Sequence, residues 1–453
     1  MDYDLIVIGG GAAGLAAARA ALRRRARTLL VQDGPPGGDC TFTGCVPSKT
    51  LIEAAGQGSS FPQAMARVHA AIGQIAATED AQALRAEGIE VLDGRATFTS
   101  PRTVDVAGER ISARRFVVAT GARPVMPPVP GLAEVSPLTN ESVFDLTAQP
   151  ASLIVMGGGP IGCELAQAFA RLGTTVTIVE ALPRLLPREE PEASEVIRAV
   201  FTREGIVVRT GEMVAQAAPH GTGVRLTLAS GGELDAATVL VAVGRAPVTD
   251  GLNLSAAEVR TDERGFIVTD ERLATTSGGI YAAGDVTGRL AFTHAADEMG
   301  RIATGNALRR RGSDRFRVER VPWVTFTDPE VAHVGMHEAQ AAKVGGRVAY
   351  LPMTEVDRAI TAGHTDGYVK LITGPRRLLR AAGGGQVLGA TIVASRAGEM
   401  IAEPALAIRT AMFAGRLAQT THAYPTWSGG VQQAAAQLFF QIGGRRARPA
   451  RPD

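Results

Sequence analysis

The chain has 453 residues, enough for two to four domains with sizeable buried cores. Lys and Arg number 47 against 45 Asp and Glu, a net charge of +2 that argues against nucleic acid as a main partner. An apolar share of 45%, no apolar run near the ~18 residues of a membrane span, and an N-terminus with no basic-then-apolar leader predict a cytoplasmic globular protein with no membrane contact.

In chain order, Leu5–Ile8 is expected as a buried strand, Ala12–Arg24 as a helix and Thr28–Val31 as the next strand. Gly9, Gly11 and Gly14, with Ala12 and Ala13 between them, make GxGxxG at the strand-to-helix turn. These glycines permit a tight turn and let the backbone approach a pyrophosphate resting on the helix N-terminus. An acid usually closes the second strand and binds ribose hydroxyls. Here Gln32 stands there with Asp33 beside it, and either can serve.

The run Gly37-Gly38-Asp39-Cys40-Thr41-Phe42-Thr43-Gly44-Cys45-Val46-Pro47-Ser48-Lys49 follows. Only three cysteines occur, too few for a secreted disulfide framework, and Cys40 and Cys45 stand five apart. If they close, they make a reducible disulfide that can accept and pass on an electron pair. Residues 61–86 are expected as one long amphipathic helix. Ala119-Thr120-Gly121 follows an apolar strand, and Pro124–Pro130 reads as surface turns.

The first pattern then repeats. Ser152–Met156 leads into Gly157, Gly159, Ile161 and Gly162, a helix to about Leu172 and a strand Thr175–Val179. That strand ends at Glu180, the acid expected on a ribose 2′-hydroxyl and repellent to a 2′-phosphate. NADH is therefore favoured over NADPH, although Arg184 lies close enough to soften the preference. Gly244 in Val243-Gly244-Arg245 and Gly284 in Ala283-Gly284-Asp285 each follow an apolar strand, and Asp285 can reach a ribityl hydroxyl. His294 is expected at the start of a helix. His333 and His337 lack a third ligand and suggest packing over a metal site. From about Val321 the pattern turns α+β, with a strand at Gly367–Leu371 and helices over Glu399 to Phe413. The basic segment 442–453 is expected as a disordered end.

In order and spacing, these motifs resemble the class I pyridine nucleotide–disulfide oxidoreductases, which include lipoamide dehydrogenase, glutathione reductase and mercuric reductase. The resemblance runs from about Tyr3 to about Gln441. It implies an α/β fold of two Rossmann-like dinucleotide-binding domains, three-layered with parallel sheets, plus a C-terminal α+β dimerisation domain. FAD would occupy residues 1–149 and 268–320, NAD(P)H residues 150–267, and residues 321–441 would build a homodimer. By the same resemblance Cys45 is the flavin-side thiol, Cys40 the outer thiol that exchanges with substrate, and Lys49 a cation near the flavin paired with Glu164.

The C-terminal motif departs from the disulfide reductases, which carry His before Pro-Thr and Glu a few residues on. This chain has Tyr424 and Gly429 there, in Thr421-His422-Ala423-Tyr424-Pro425-Thr426-Trp427-Ser428-Gly429. Tyr titrates near ~10 and is a poor base at neutral pH, so disulfide turnover should suffer unless His422 substitutes. Tyrosine near the dithiol is similar to mercuric reductase, whose electrophile needs no protonated leaving group. The vicinal tail cysteines of mercuric reductases are absent from this sequence. Pro160 stands where glutathione reductase-like members often place a gating Tyr. The expected activity is electron transfer from NADH, with NADPH second, through FAD and Cys40–Cys45 to a disulfide or a thiophilic metal ion. Dihydrolipoamide dehydrogenase and a flavin-level quinone or metal reductase are the alternatives.

Overall fold

The computed structural model describes residues 1–309, 314–376 and 382–452. These form two compact units. The first holds Met1–Pro128, Pro137–Gln149 and Leu240–Arg317; the second holds Val129–Ser136, Pro150–Val239 and the residues from Val318 on.

In the first unit, β1 (Tyr3–Ile8) lies at the centre of a sheet, and α1 (Ala12–Leu22) and β2 (Thr28–Gln32) follow it. β1 pairs in parallel with β2 and with Glu109–Val118, and β2 pairs in parallel with Glu90–Asp93. Leu5, Ile6 and Val7 are fully buried, which explains an unbroken apolar run where a half-exposed strand would alternate. Ile280–Ala282 brings a distant segment back beside Phe116–Val118, again in parallel. The helix Thr293–Leu308 packs on α1 so closely that a Cβ at Gly300 would stand 2.2 Å from the Ala13 carbonyl oxygen.

The βαβ alternation is broken by an antiparallel meander, Ala96–Ser100, Thr103–Val106 and Glu109–Val118. Ala107 and Gly108 both have positive φ, 54° and 88°, which is the backbone of a tight two-residue hairpin. The helix expected over 61–86 is two helices, Phe61–Ala76 and Ala81–Glu87. Asp80 divides them because its side chain accepts the Ala83 N–H at 2.7 Å and so caps a new helix.

The second unit carries a parallel sheet in the order Val207–Thr210, Thr175–Glu180, Ser152–Met156. It also has a hairpin meander over Val214–Ala236 and a six-stranded sheet. The six-stranded order is Trp323–Thr325, Glu330–Gly335, Gln386–Ala394, Tyr368–Gly374, Arg347–Pro352 and Arg448–Pro449. Its core includes Val334, Leu351, Leu371, Ile392, Met400 and Val431. The helices expected over Glu399 to Phe413 come as Ala397–Met400 and Ala402–Arg409, and the second ends before Phe413. It stops because Ala411 turns to φ 51° and the Met412 N–H closes back on the Ala407 carbonyl at 2.8 Å.

The basic C-terminal segment, expected as a solvated end, is instead part of this sheet. Val348 pairs with Arg448 and Arg347 with Pro449. The physical reason is charge: Arg448 meets the carboxylate of Glu338, which also sits 3.1 Å from the buried Lys370 ammonium. Lys370 is 1% exposed and is matched further by Glu192 at 2.7 Å and Glu190 at 3.4 Å. A buried cation survives when it is surrounded by carboxylates in this way.

Close backbone packing at the first glycine turn gives a test. A Cβ on Gly14 would stand 1.7 Å from the Gly9 carbonyl oxygen, so Gly14→Ala must displace α1 from β1. Overpacking of this kind costs about 1–3 kcal/mol. The variant should lower the thermal melting midpoint, read by circular dichroism.

Candidate active site

The first glycine turn has the geometry its sequence promised. Gly9 has φ 102°, which only glycine adopts freely, and a Cβ there would meet the Ala119 carbonyl at 2.4 Å. No side chain caps α1, so its first-turn N–H groups are left for a ligand. A Cβ at Gly11 would meet nothing nearer than 3.8 Å, leaving room for a pyrophosphate at the positive helix end. Gly284, φ 80°, approaches the Ala13 side chain, which brings Asp285 to this same turn.

Asp285 is largely desolvated, and that burial pushes its carboxyl up to about 6; Arg245 opposes the shift while Asp39 and Cys45 add to it. The Arg245 Nε is buried without a hydrogen bond among the described residues. An uncapped helix end, an open glycine cradle and a half-satisfied Arg–Asp pair together suit a flavin dinucleotide. Gln32 uses its amide oxygen on the Gly10 N–H and its NH2 on the Asp33 carbonyl at 2.9 Å. Asp33 is exposed and bonds Arg95 at 2.9 Å. The Thr120 hydroxyl donates to the Val248 carbonyl at 2.6 Å, and Gly121 and Gly244 both have positive φ.

The cysteine run folds as two short turns at an angle. Cys40 lies in α2 (Gly38–Phe42), and Cys45 is the first residue of α3 (Cys45–Gly56). Gly44 joins them; a Cβ there would be 2.8 Å from the Asp39 carbonyl and 3.2 Å from the Cys40 Cα. That missing methyl is what lets the two turns fold onto each other. No disulfide joins them in this structure; Cys45 is exposed and Cys40 partly buried. The Cys40 thiol is pushed far above its ordinary value, first by hydrogen bonding with Cys45 and then by burial, so the pair is in direct contact. Cys45 Sγ also lies 3.3 Å from the Thr293 hydroxyl, at the start of a sixteen-residue helix. A helix N-terminus favours a thiolate at Cys45. Lys49 stands four residues on, one turn along the same face of α3.

Sequence reasoning missed the groups that fix this turn. The Asp39 carboxylate accepts from Asn140 Nδ2 at 3.2 Å, from the Thr43 hydroxyl and from Arg245 at 2.5 Å. An acid beside Cys40 and an Arg in Val-Gly-Arg were visible in the sequence, but their meeting depends on segments two hundred residues apart.

In the second unit, Gly157 has φ 111°, and a Cβ on Gly162 would stand 1.9 Å from the Gly157 carbonyl oxygen. The helix Pro160–Arg171 has no side-chain cap, Pro160 is its first residue, and space beside Gly159 and Ile161 is open to a ligand. Glu180 is 8% exposed; its two oxygens accept the Gly158 N–H at 2.6 Å and the Leu182 N–H at 2.7 Å. Glu164 is 4% exposed and accepts the Phe326 N–H at 2.8 Å. Cys163 is fully buried, donates to the Gly158 carbonyl at 3.3 Å, and has its thiol pushed up by burial.

The C-terminal motif separates its two candidates. Tyr424 is 81% exposed, and its hydroxyl donates to Asp357 Oδ2 at 2.8 Å, which raises its pKa above 10. His422 is mostly covered: Nδ1 lies 2.9 Å from the Thr420 carbonyl and Nε2 3.0 Å from Glu403 Oε2. Burial disfavours the imidazolium, but Glu403 and the Thr420 carbonyl outweigh it and raise the pKa above 6.5. Glu403, nineteen residues upstream, carried no sequence signal. His294 opens its helix as the second residue, and His333 and His337 stack 3.8 Å apart.

A raised folded-state pKa on His422 means its stabilisation is fully present below about 6.5 and fades as pH rises through the folded value. His422→Gln should therefore lower the melting midpoint more at about pH 5.5 than at about pH 9. An equal loss at both would show that the imidazolium is not what holds the segment.

Residues 3–300 match the pyridine nucleotide-disulphide oxidoreductase family, and residues 321–435 match its dimerisation domain. A mercuric reductase of Bacillus cereus is 34% identical over 455 residues, covering 96% of this chain and 71% of that protein. A dihydrolipoyl dehydrogenase of Thermus scotoductus is 35% identical over 468 residues, covering 97% and 98%. Among solved structures, the HOCl-induced flavoprotein disulfide reductase RclA of Escherichia coli, in its Cu(II) complex, superposes with a TM-score of 0.87 at 29% identity over 96% of this chain and 99% of that one. LpdA of Mycobacterium tuberculosis superposes with a TM-score of 0.87 at 31% identity, covering 96% and 100%. Among the described residues no helix is long and apolar enough to cross a membrane. The chain belongs to the pyridine nucleotide–disulphide oxidoreductases, enzymes that depend on FAD and take their electrons from NAD(P)H.

Proposed function

We propose that this enzyme passes electrons from NADH through the Cys40–Cys45 pair to a thiophilic metal acceptor, as a homodimer. When bound, FAD supplies the two-electron link between nicotinamide and disulfide. Glu180, at the end of its strand, accepts the ribose hydroxyls of NADH and repels a 2′-phosphate. On reduction the Cys40–Cys45 bond takes up two electrons and one proton and opens to a thiol and a thiolate. The positive end of α3 and the Lys49 ammonium favour the negative charge on Cys45. Cys40, freed by the opening, binds the acceptor.

One observation carries the choice of acceptor. Both ring nitrogens of His422 are already engaged, by Thr420 and Glu403, while the Tyr424 side chain is exposed. A tyrosine whose pKa is raised donates a hydrogen bond and does not take a proton at neutral pH. A disulfide substrate needs a proton on its leaving thiolate; a soft metal ion bound by thiolate does not. Tyr424 of the partner subunit therefore orients an acceptor at Cys40. The Bacillus cereus relative named for mercury and the Cu(II) complex of a structural neighbour are compatible with this chemistry.

A second reading is dihydrolipoamide dehydrogenase. The His422–Glu403 contact favours it, because an imidazole paired with a carboxylate is the usual acid/base device.

Anaerobic NADH oxidation with oxidised lipoamide or with thiol-complexed Hg(II) separates the two. Hg(II) should turn over, with lipoamide slower by about 10²–10⁴, the usual worth of a general acid/base. Fast lipoamide reduction that is lost in His422→Gln would overturn the metal reading and install the second. Cys40→Ser should keep its FAD and lose Hg(II) turnover; full activity in that variant would sink the dithiol route.

A further inference from the structure

The segment after Glu180 is held in an unusual shape from several sides. Leu186, 1% exposed, has φ 45°, a left-handed backbone that costs a non-glycine residue about 1–2 kcal/mol. Its N–H donates to the Gly158 carbonyl at 2.8 Å, tying it to the second glycine turn. Glu189, 4% exposed, accepts the Trp323 indole N–H at 2.7 Å, and its other oxygen has no partner among the described residues. Glu190, equally buried, accepts the Glu338 N–H at 2.7 Å and faces Lys370 at 3.4 Å. Inside this pinned segment, Arg184 donates to the Pro187 carbonyl at 2.9 Å. It is the cation nearest in sequence to Glu180, and this bond holds one edge of its guanidinium on the backbone.

We infer that Trp323 is a positioning residue for coenzyme selection: by fixing Glu189 it keeps Leu186 left-handed and Arg184 folded onto Pro187, out of reach of a 2′-phosphate. This rests on the NADH reading above. Without the indole donor, Glu189 is a buried carboxylate lacking its one hydrogen bond, and it must move toward water. Leu186 then relaxes to a right-handed or extended backbone, and the Pro187 carbonyl leaves Arg184. A freed guanidinium binds phosphate through two parallel hydrogen bonds and offsets the repulsion from Glu180.

The test compares 2′,5′-ADP with 5′-ADP by calorimetry on FAD-loaded protein, alongside the NADH to NADPH ratio of kcat/KM. In Trp323→Phe, which keeps a ring over His333, 2′,5′-ADP should bind roughly tenfold tighter and the NADH preference should shrink, mainly through the KM for NADPH. Glu189→Ala, which breaks the same bond from the other side, should do likewise. Glu189→Gln, which retains an acceptor oxygen, should keep wild-type discrimination. Adding Arg184→Ala to Trp323→Phe should abolish the gain. Unchanged discrimination in both Trp323→Phe and Glu189→Ala, or a gain that survives loss of Arg184, overturns the inference while leaving the NADH reading intact. A wild-type preference for NADPH and 2′,5′-ADP overturns that reading and the inference with it.

Discussion

Everything in the first unit depends on how closely two pieces of backbone approach each other at the glycine turns. Gly14 lies on the carbonyl of Gly9, and a Cβ on Gly38 would stand 2.7 Å from the Cα of Gly11. The Gly37 N–H donates to the Gly10 carbonyl at 2.8 Å, so the start of the cysteine run is bonded to the turn that cradles a pyrophosphate. The cysteine run is thus anchored to the first glycine turn itself. Nothing larger than hydrogen fits at these contacts, which is why the two motifs are both glycine-rich and lie so near in sequence.

The second unit repeats the turn but spends its polar groups differently. Gln32 and Glu180 both brace the middle glycine of their turns through an N–H, yet only Glu180 brings a charge. A neutral amide suffices beside a tightly held dinucleotide. A carboxylate in the second turn carries a charge that the amide in the first does not. The loop that follows the acid is tied back to Gly158 through Leu186 and forward to Trp323 and Glu338 through Glu189 and Glu190.

The fold was legible wherever the signal was local. Glycine spacing, the apolar runs of β1 and Ser152–Met156, and the repeat of strand, turn and helix need only neighbouring residues to be read. The expected long helix failed at Asp80, where a capping side chain overrode an amphipathic pattern that continued through it. The C-terminal segment failed for a different reason: its arginines look solvated until Glu338 and Lys370 are seen beside Arg448. In the candidate site, Cys40, Cys45 and Tyr424 were singled out by motif. Asn140, Arg245, Glu403 and Trp323 act through contacts across 19 to 206 positions, and a single sequence carries no trace of such pairings.

The pairing of Arg448–Pro449 with Arg347–Pro352 has a consequence for biosynthesis. The strand that completes the six-stranded sheet leaves the ribosome about a hundred residues after its partner, so Lys370 and its carboxylates wait, incompletely neutralised, until then. The first unit is released from that wait earlier, once the helix Thr293–Leu308 can settle on α1. During translation the nascent chain therefore completes the elements of its first unit while the six-stranded sheet of the second still lacks its last strand.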